Sequence, residues 1–328
     1  MVGLRMTLFQ NLGIGFNMIK TLVIGGNGYI GRHLLPMLLA SGRAVTVLSR
    51  NAQKTADLPQ DINYIKGDFG NLSQIATLLD ANDEIIHLAY ATVPNTSYDS
   101  PLGDLLENLP AIVQLFSEIA KRNKKLLLVS SGGTVYGEVD DVPIKETQPT
   151  KPISPYGLTK LTIENYARFY SVTKGLDYII VRPANAYGIG QMPYRGQGFI
   201  SSAIASIMDN KNVIVFGEKG TVRDYIYVSD IARGIFAALA KWHSGETYNI
   251  GSGIGMTNLD LLLRVKPMLG KDGDEVMIQH LPKRVFDVQK NILDSSKLTA
   301  HTGWKPATSL DDGLLETYKW LKVLNGQN

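Results

Sequence analysis

Seven residues near the N-terminus, Gly25-Gly26-Asn27-Gly28-Tyr29-Ile30-Gly31, narrow the possible folds more than any other part of the chain. They follow a short apolar segment, Thr21–Gly25, that reads as a strand. They lead into Gly28–Ala40, which reads as a helix with Leu34, Leu35, Leu38 and Leu39 on one apolar face. So abrupt a passage from strand to helix needs positions without side chains. Glycines at 25, 28 and 31 permit a tight turn, close approach of backbone to a pyrophosphate, and close helix–strand packing. The helix N-terminus adds oriented N–H groups suited to phosphate oxygens. Pro36 predicts a local kink, because proline removes a helix hydrogen bond.

The alternation continues along the chain. Ala44–Leu48, Asn63–Ile65, Glu84–Leu88, Lys125–Ser130 and Tyr178–Val181 read as strands, and Leu102–Lys121 and Pro155–Val172 as long helices. Lys125–Ser130 is the kind of apolar run buried on both faces of a sheet. Strands alternating with helices predict an α/β fold: a doubly wound parallel sheet of the Rossmann type, with right-handed crossovers. After about Asn185 the segments shorten and turn residues become denser, as in Gly188–Gly198. The expected organisation is a dinucleotide-binding domain over 18–184 and a smaller C-terminal α/β lobe over 185–328. That lobe mainly binds substrate, and some of its segments return to the first domain. Residues 1–17 read as a dispensable extension, since Met18-Ile19-Lys20 runs directly into the first strand.

Composition removes several classes of function. None of the 328 residues is cysteine, which excludes thiol catalysis, cysteine-ligated zinc and disulfides, and fits a cytoplasmic location. A net charge of +3 without a dense basic run gives no reason to expect nucleic acid. No apolar stretch reaches the roughly 18 residues of a membrane span. The histidines at 33, 87, 243, 280 and 301 lack metal-ligand spacing, so no metal is expected.

Chemistry enters at Tyr156-Gly-Leu-Thr-Lys160. An i, i+4 pair shares one helix face. An ammonium beside a phenol favours the phenolate, which can accept a proton from a sugar hydroxyl. Upstream, Ser130-Ser131-Gly132-Gly133-Thr134-Val135-Tyr136-Gly137 ends the central apolar strand, where ligand crevices of such sheets form. At the end of the second strand, where NAD-binding folds usually carry an acid, stand Ser49 and Arg50. An arginine there can meet a 2′-phosphate, so NAD and NADP both stay open. Asp68, after the third strand, is placed to meet adenine.

With Arg182-Pro-Ala-Asn-Ala-Tyr-Gly188, Arg223-Asp-Tyr-Ile-Tyr-Val228 and Arg284-Val-Phe-Asp287, these motifs resemble the extended short-chain dehydrogenases/reductases of the NAD-dependent epimerase/dehydratase family, especially its UDP-glucose 4-epimerase-like members. The resemblance spans nearly all of 18–321. It implies NAD held by Gly25, Asn27, Gly28, Tyr29, Ile30 and Gly31. Ser49, Arg50, Asp68, Phe69, Leu88 and Ala89 complete that implied site. It implies Tyr156 as the base and Lys160 on the nicotinamide ribose. Asn185 would contact the substrate diphosphate, Arg223 and Arg284 would clamp it, Asp287 would approach the nucleoside ribose and Phe216 the base. The implied substrate is a UDP-linked sugar, and the implied assembly a homodimer joined through the helices near 102–121 and 155–172.

Two positions depart from the family pattern. The family's catalytic hydroxyl falls on Gly132, which makes Thr134, or else Ser131, its substitute. Asn291, four residues after Asp287, replaces an aromatic that restricts the sugar pocket, and leaves open which sugars enter. Three functions follow from this reading. The first is a 4-epimerase acting through a transient 4-keto sugar. The second is an NADPH-dependent reductase of a nucleotide-linked keto sugar, favoured by Ser49-Arg50. The third is a non-catalytic dinucleotide sensor. Dehydration needs carboxylates that Gly132-Gly133-Thr134 does not supply.

Overall fold

The computed structural model describes residues 18–51, 53–273 and 276–326, so the extension expected at 1–17 lies outside the described residues. The first unit is β1 (Lys20–Ile24), α1 (Tyr29–Ala40) and β2 (Ala44–Ser49). The helix α1 runs through Pro36. There follow β3 (Asn63–Lys66), α2 (Leu72–Asp80), β4 (Glu84–His87), α3 (Pro94–Asp99), α4 (Pro101–Lys121), β5 (Lys125–Val129), α5 (Pro155–Lys174) and β6 (Asp177–Pro183). The C-terminal half supplies β7 (Asn185–Tyr187), α6 (Phe199–Met208), β8 (Val213–Phe216), β9 (Val222–Tyr227), α7 (Val228–Ala240), β10 (Thr247–Ile250) and β11 (Gly255–Thr257). It ends with α8 (Asn258–Val265), β12 (Ile278–Leu281), β13 (Lys290–Asn291), α9 (Ser296–Thr302) and α10 (Leu310–Leu324).

The main sheet has seven strands in the order β10-β6-β5-β4-β1-β2-β3, and every pairing is parallel. Successive residues of its central strands feed opposite layers. Val23, Leu127 and Val181 join one apolar cluster, and Leu22, Leu126 and Ile180 the other. Both layers are dry because helices cover both faces, which is why these strands read as unbroken apolar runs. The chain does not split cleanly near residue 185. Strand β10 returns to pair with β6 at the sheet edge, and α7 packs on α1. The remaining lobe has its own core around Ile204, Val215, Leu261 and Leu314. In it β9 pairs with β7, β11 and β13, and β8 pairs with β12.

One buried polar network joins these parts. Arg182 on β6 grips Glu164 on α5 through Nε (2.9 Å) and Nη2 (2.5 Å). Its Nη1 donates to the Tyr136 hydroxyl at 2.8 Å, which donates in turn to Asn249 Oδ1 on β10 at 2.7 Å. The backbone N–H of Asn249 donates to Glu146 at 2.7 Å. Arg182 and Glu164 are at most 1% exposed, so neither charge has water as an alternative partner. Removing one member strands the other charge in the core. Glu164→Gln is expected to lower the unfolding free energy by about 3–5 kcal/mol, read as a lower midpoint in guanidinium titration at unchanged slope.

Candidate active site

The carboxyl ends of β1, β4, β5 and β6 face the C-terminal lobe across a cleft of about 770 Å³. One end is floored by the glycine loop. Gly25 takes a φ of +81°, and a Cβ there would sit 2.8 Å from the Ala89 backbone nitrogen. A Cβ on Gly31 would collide with the Gly26 carbonyl. The loop therefore lies tight against β4 and α1, leaving a backbone-lined cradle that Tyr29, Ile30 and Leu88 also border. This bare backbone before a helix N-terminus fits a dinucleotide pyrophosphate. The Tyr29 hydroxyl is buried with no hydrogen-bond partner among the described residues.

The other expected cofactor residues lie outside the main cleft. Asn27 uses its side chain structurally: Oδ1 accepts from Thr55 Oγ1 at 2.8 Å and Nδ2 donates to the Tyr64 hydroxyl at 3.1 Å. Ser49 Oγ accepts from the Asn51 N–H at 3.2 Å. Arg50 is exposed and has no ion-pair or hydrogen-bonding partner among the described residues. Asp68 caps the turn after β3 by accepting from Gly70 N–H at 2.8 Å, and Phe69 packs edge-on against His87 at 5.0 Å.

Midway along the cleft, α5 presents Tyr156 and Lys160. Ser154 caps the helix by accepting from the Gly157 N–H at 3.2 Å, and Pro155 opens its first turn. Lys160 Nζ donates to the Val129 carbonyl at 3.2 Å. It lies 4.0 Å from the Tyr90 ring centroid and 5.7 Å from that of Tyr156. The two tyrosine rings meet edge to face at 4.9 Å. Burial pulls Lys160 down to about 7, against the opposing pull of Glu164 and Asp104. Burial pushes Tyr156 well above the usual phenol value, and Asp104 pushes the same way. Desolvation of the phenolate is the larger of these two causes, and both act against the depression expected from the Lys160 spacing.

The loop after β5 continues the strand pairing: Ser130 N–H donates to the Val181 carbonyl and Gly132 N–H to the Pro183 carbonyl. Gly132 faces the interior. A Cβ there would strike Leu293 and come within 2.8 Å of the Arg182 carbonyl. No hydroxyl side chain fits without moving those atoms. Ser131 and Thr134 border the cleft instead, and Thr134 Oγ1 is buried without a partner among the described residues. Gly157 lets this loop press on α5, since its Cβ would lie 2.8 Å from the Thr134 carbonyl. Thr134 therefore sits directly against the turn that carries Tyr156.

At the far end, Arg284 contacts Asp287 through Nε (2.7 Å) and Nη2 (2.6 Å). Its guanidinium lies 4.1 Å over the Phe216 ring and donates to Asn95 Oδ1 at 2.9 Å. Arg223 donates to the Val288 carbonyl at 2.5 Å, and Asn185 Nδ2 to the Asp224 carbonyl at 3.4 Å. All five expected residues of this end border the same cleft. Asn291 requires a correction. It is fully buried on β13 and donates to the Gly132 carbonyl at 3.0 Å, so it supports the loop from beneath and does not border the sugar pocket. Sequence reasoning missed Tyr90 and Asp104. The available signal was a polar pair, Asp104 and Asn108, four residues apart on the buried stripe of an otherwise apolar helix. Among the described residues no group of three or more potential ligands is placed to hold a metal, and no helix is long and apolar enough to cross a membrane.

With this geometry in view, known proteins give a consistent comparison. The model of the NAD-dependent epimerase/dehydratase family matches residues 21–251. The UDP-glucose 4-epimerase of Thermotoga maritima, solved with UDP-glucose, superposes with a TM-score of 0.87 at 30% identity, covering 94% of this chain and 100% of that one. DesIV of Streptomyces venezuelae, a dTDP-glucose 4,6-dehydratase solved with NAD bound, gives 0.86 at 28% identity, with 94% and 98% covered. In sequence, a dTDP-4-dehydro-6-deoxyglucose reductase of Escherichia coli is 29% identical over 312 residues, 92% of this chain and 97% of the relative. The chain belongs to the NAD-dependent epimerase/dehydratase family of extended short-chain dehydrogenases/reductases.

Proposed function

We propose that this protein is a nucleotide-sugar 4-epimerase that keeps NAD bound and acts on a UDP-linked hexose. The observation that carries the reading is that one cleft is lined by a bare glycine cradle, by Tyr156 and Lys160, and by Arg223 and Arg284. A dinucleotide and a nucleotide-linked sugar laid end to end would meet at the tyrosine. Bound NAD supplies a reversible hydride acceptor. Tyr156 takes the proton of the sugar 4-hydroxyl and later returns it. Lys160 stabilises the phenolate, and Thr134 Oγ1 gains in the sugar oxygen the partner it lacks. Arg223 and Arg284 hold the diphosphate through charge-assisted hydrogen bonds while the 4-keto sugar turns its other face. The loop from Ser130 to Thr134 contains no carboxylate, which weighs against dehydration.

A second reading, a one-way NADPH-dependent reductase, is favoured by the unpaired Arg50 beside Ser49. Purified protein offered UDP-glucose, UDP-galactose and their N-acetylated forms without added cofactor is expected to interconvert a 4-epimer pair with no net absorbance change at the reduced-nicotinamide band. Consumption of added NADPH by a keto sugar, without interconversion, would establish the reductase instead.

Tyr156→Phe is expected to lower kcat by about a thousandfold. Thr134→Val removes one hydrogen bond and is expected to lower kcat by about tenfold at little-changed KM, provided that bond strengthens in the transition state. Gly132→Ser separates a missing hydroxyl from a steric glycine. It should lower stability by about 1–3 kcal/mol through overpacking and leave kcat no higher; a rise in kcat would show that the glycine is a catalytic deficit.

We also propose a homodimer formed through α4 and α5, whose Leu102, Leu106, Leu158, Phe169 and Val172 are exposed apolar residues. Light scattering should give a dimer for the wild type and a monomer for Leu106→Glu/Phe169→Glu.

A further inference from the structure

Behind the Tyr156–Lys160 pair lies an ionisable group that the mechanism above does not use. Asp104 on α4 is 1% exposed, in the same buried stripe as Asn108, Ile112 and Leu115. A carboxylate is costly to bury unless donors meet it. No cation pairs with Asp104 among the described residues. Its donors are two hydroxyls: Thr92 Oγ1, in a short contact with Oδ1, and the Tyr90 hydroxyl, 3.3 Å from both oxygens. Asn108 pins the same segment, with Oδ1 accepting from Ala91 N–H at 2.8 Å and Nδ2 donating to the Asp104 carbonyl at 2.8 Å. Asn108 thus already ties residues 90–92 to α4, and the buried charge is an addition to that tie.

The other end of Tyr90 explains the addition. The face of its ring covers the Lys160 ammonium, and the ring meets Tyr156 edge to face. A phenol whose hydroxyl donates to a carboxylate presents a more electron-rich face to a cation. We propose that Tyr90 and Asp104 form a positioning unit for the Tyr156–Lys160 pair, in which Asp104 anchors Tyr90 and its charge tunes proton transfer by the pair. The inference rests on Tyr156 and Lys160 being the proton-handling residues.

The sign of the tuning follows from the charges around the pair. Asp104 favours the ammonium of Lys160 and opposes the phenolate of Tyr156. From α5, Glu164 also favours the ammonium, but Arg182 on β6 neutralises it. From β4, His87 is held neutral by burial, its pKa down at about 3. Among the described residues, Asp104 is left as the one facing carboxylate that forms no ion pair. Asp104→Asn keeps the shape and removes the charge, so Lys160 should titrate at lower pH. Tyr90→Phe keeps the ring but loses the donated hydroxyl that enriches its face over the ammonium, so Lys160 should titrate at lower pH.

The test follows Lys160 by NMR of lysine carrying 13C at Cε in the full chain, its signal assigned by its loss in Lys160→Met. No substrate is needed, so the result is independent of whether the protein is an epimerase. Expected are a downward shift of about one pH unit in Asp104→Asn, a smaller downward shift in Tyr90→Phe, and the wild-type value in Asp104→Glu. Where turnover is measurable, the acid limb of kcat/KM should also move to lower pH in Asp104→Asn. A Lys160 that is unmoved or shifted upward in Tyr90→Phe overturns the unit whatever the other variants do, and this variant decides alone if Asp104→Asn does not fold. A Lys160 that is unmoved or shifted upward in a folded Asp104→Asn overturns it equally, as does an Asp104→Glu that behaves like Asp104→Asn. Absence of any nucleotide-sugar turnover alongside the expected shifts would instead remove the proposed function and leave the unit standing.

Discussion

The contact between Arg182 and Glu164 constrains the site more than any other. Glu164 follows Lys160 by four residues and Tyr156 by eight, so all three lie along one face of α5. Gripping Glu164 from β6 sets both the rotation and the height of that helix over the sheet. The same guanidinium holds Tyr136, which fixes the far end of the loop containing Ser131 and Thr134. One buried cation thereby sets the relation between the Tyr156–Lys160 face of α5 and the hydroxyl loop. A hydrophobic contact could stabilise as much, but it would tolerate sliding. Three directional hydrogen bonds from one planar group do not.

What local pattern could reveal, it revealed. The glycine loop, the strands up to β6 and the Tyr156–Lys160 pair were all legible, because each depends on residues within one turn or one strand. The strands expected at Lys125–Ser130 and Tyr178–Val181 differ from β5 and β6 by no more than two residues at either end. The pieces that could not be read depend on distant parts of the chain. Strand β10 looks like any short polar–apolar segment until β6 offers it an edge. Asn291 sits four residues after Asp287, but its direction is set by β13 pairing with β9, which turns it under Gly132. The depressed Lys160 and raised Tyr156 depend on burial, and an i, i+4 spacing carries no information about burial.

Gly132 shows how a departure in sequence can be a consequence of packing. Read alone, it is a missing hydroxyl. In the structure a Cβ there would meet Leu293 and the Arg182 carbonyl, while the Asn291 amide holds the Gly132 carbonyl. The loop has been drawn down onto the chain that returns from the second lobe. Asp224 on β9 accepts from the N–H groups of Ser252, Gly253 and Leu293, and so holds that returning chain in place. The same tightening brings Thr134 against Gly157 and leaves its hydroxyl buried without a partner among the described residues. A hydroxyl buried without a partner is costly, so a ligand oxygen that satisfies it recovers that cost on binding.

The pair at the centre of the cleft is held in a state that opposes both of its charges. Burial weakens the ammonium of Lys160 and the phenolate of Tyr156 together, so neither ionises easily alone. Each charge stabilises the other when both are present, since opposite charges interact strongly where water is excluded. A cationic ring beside the tyrosine would shift the balance further towards phenolate. Proton affinity at Tyr156 then depends on what occupies the glycine end of the cleft. A base made strong by enclosure and weakened by a neighbouring cation is poised to change its affinity when that neighbour changes charge.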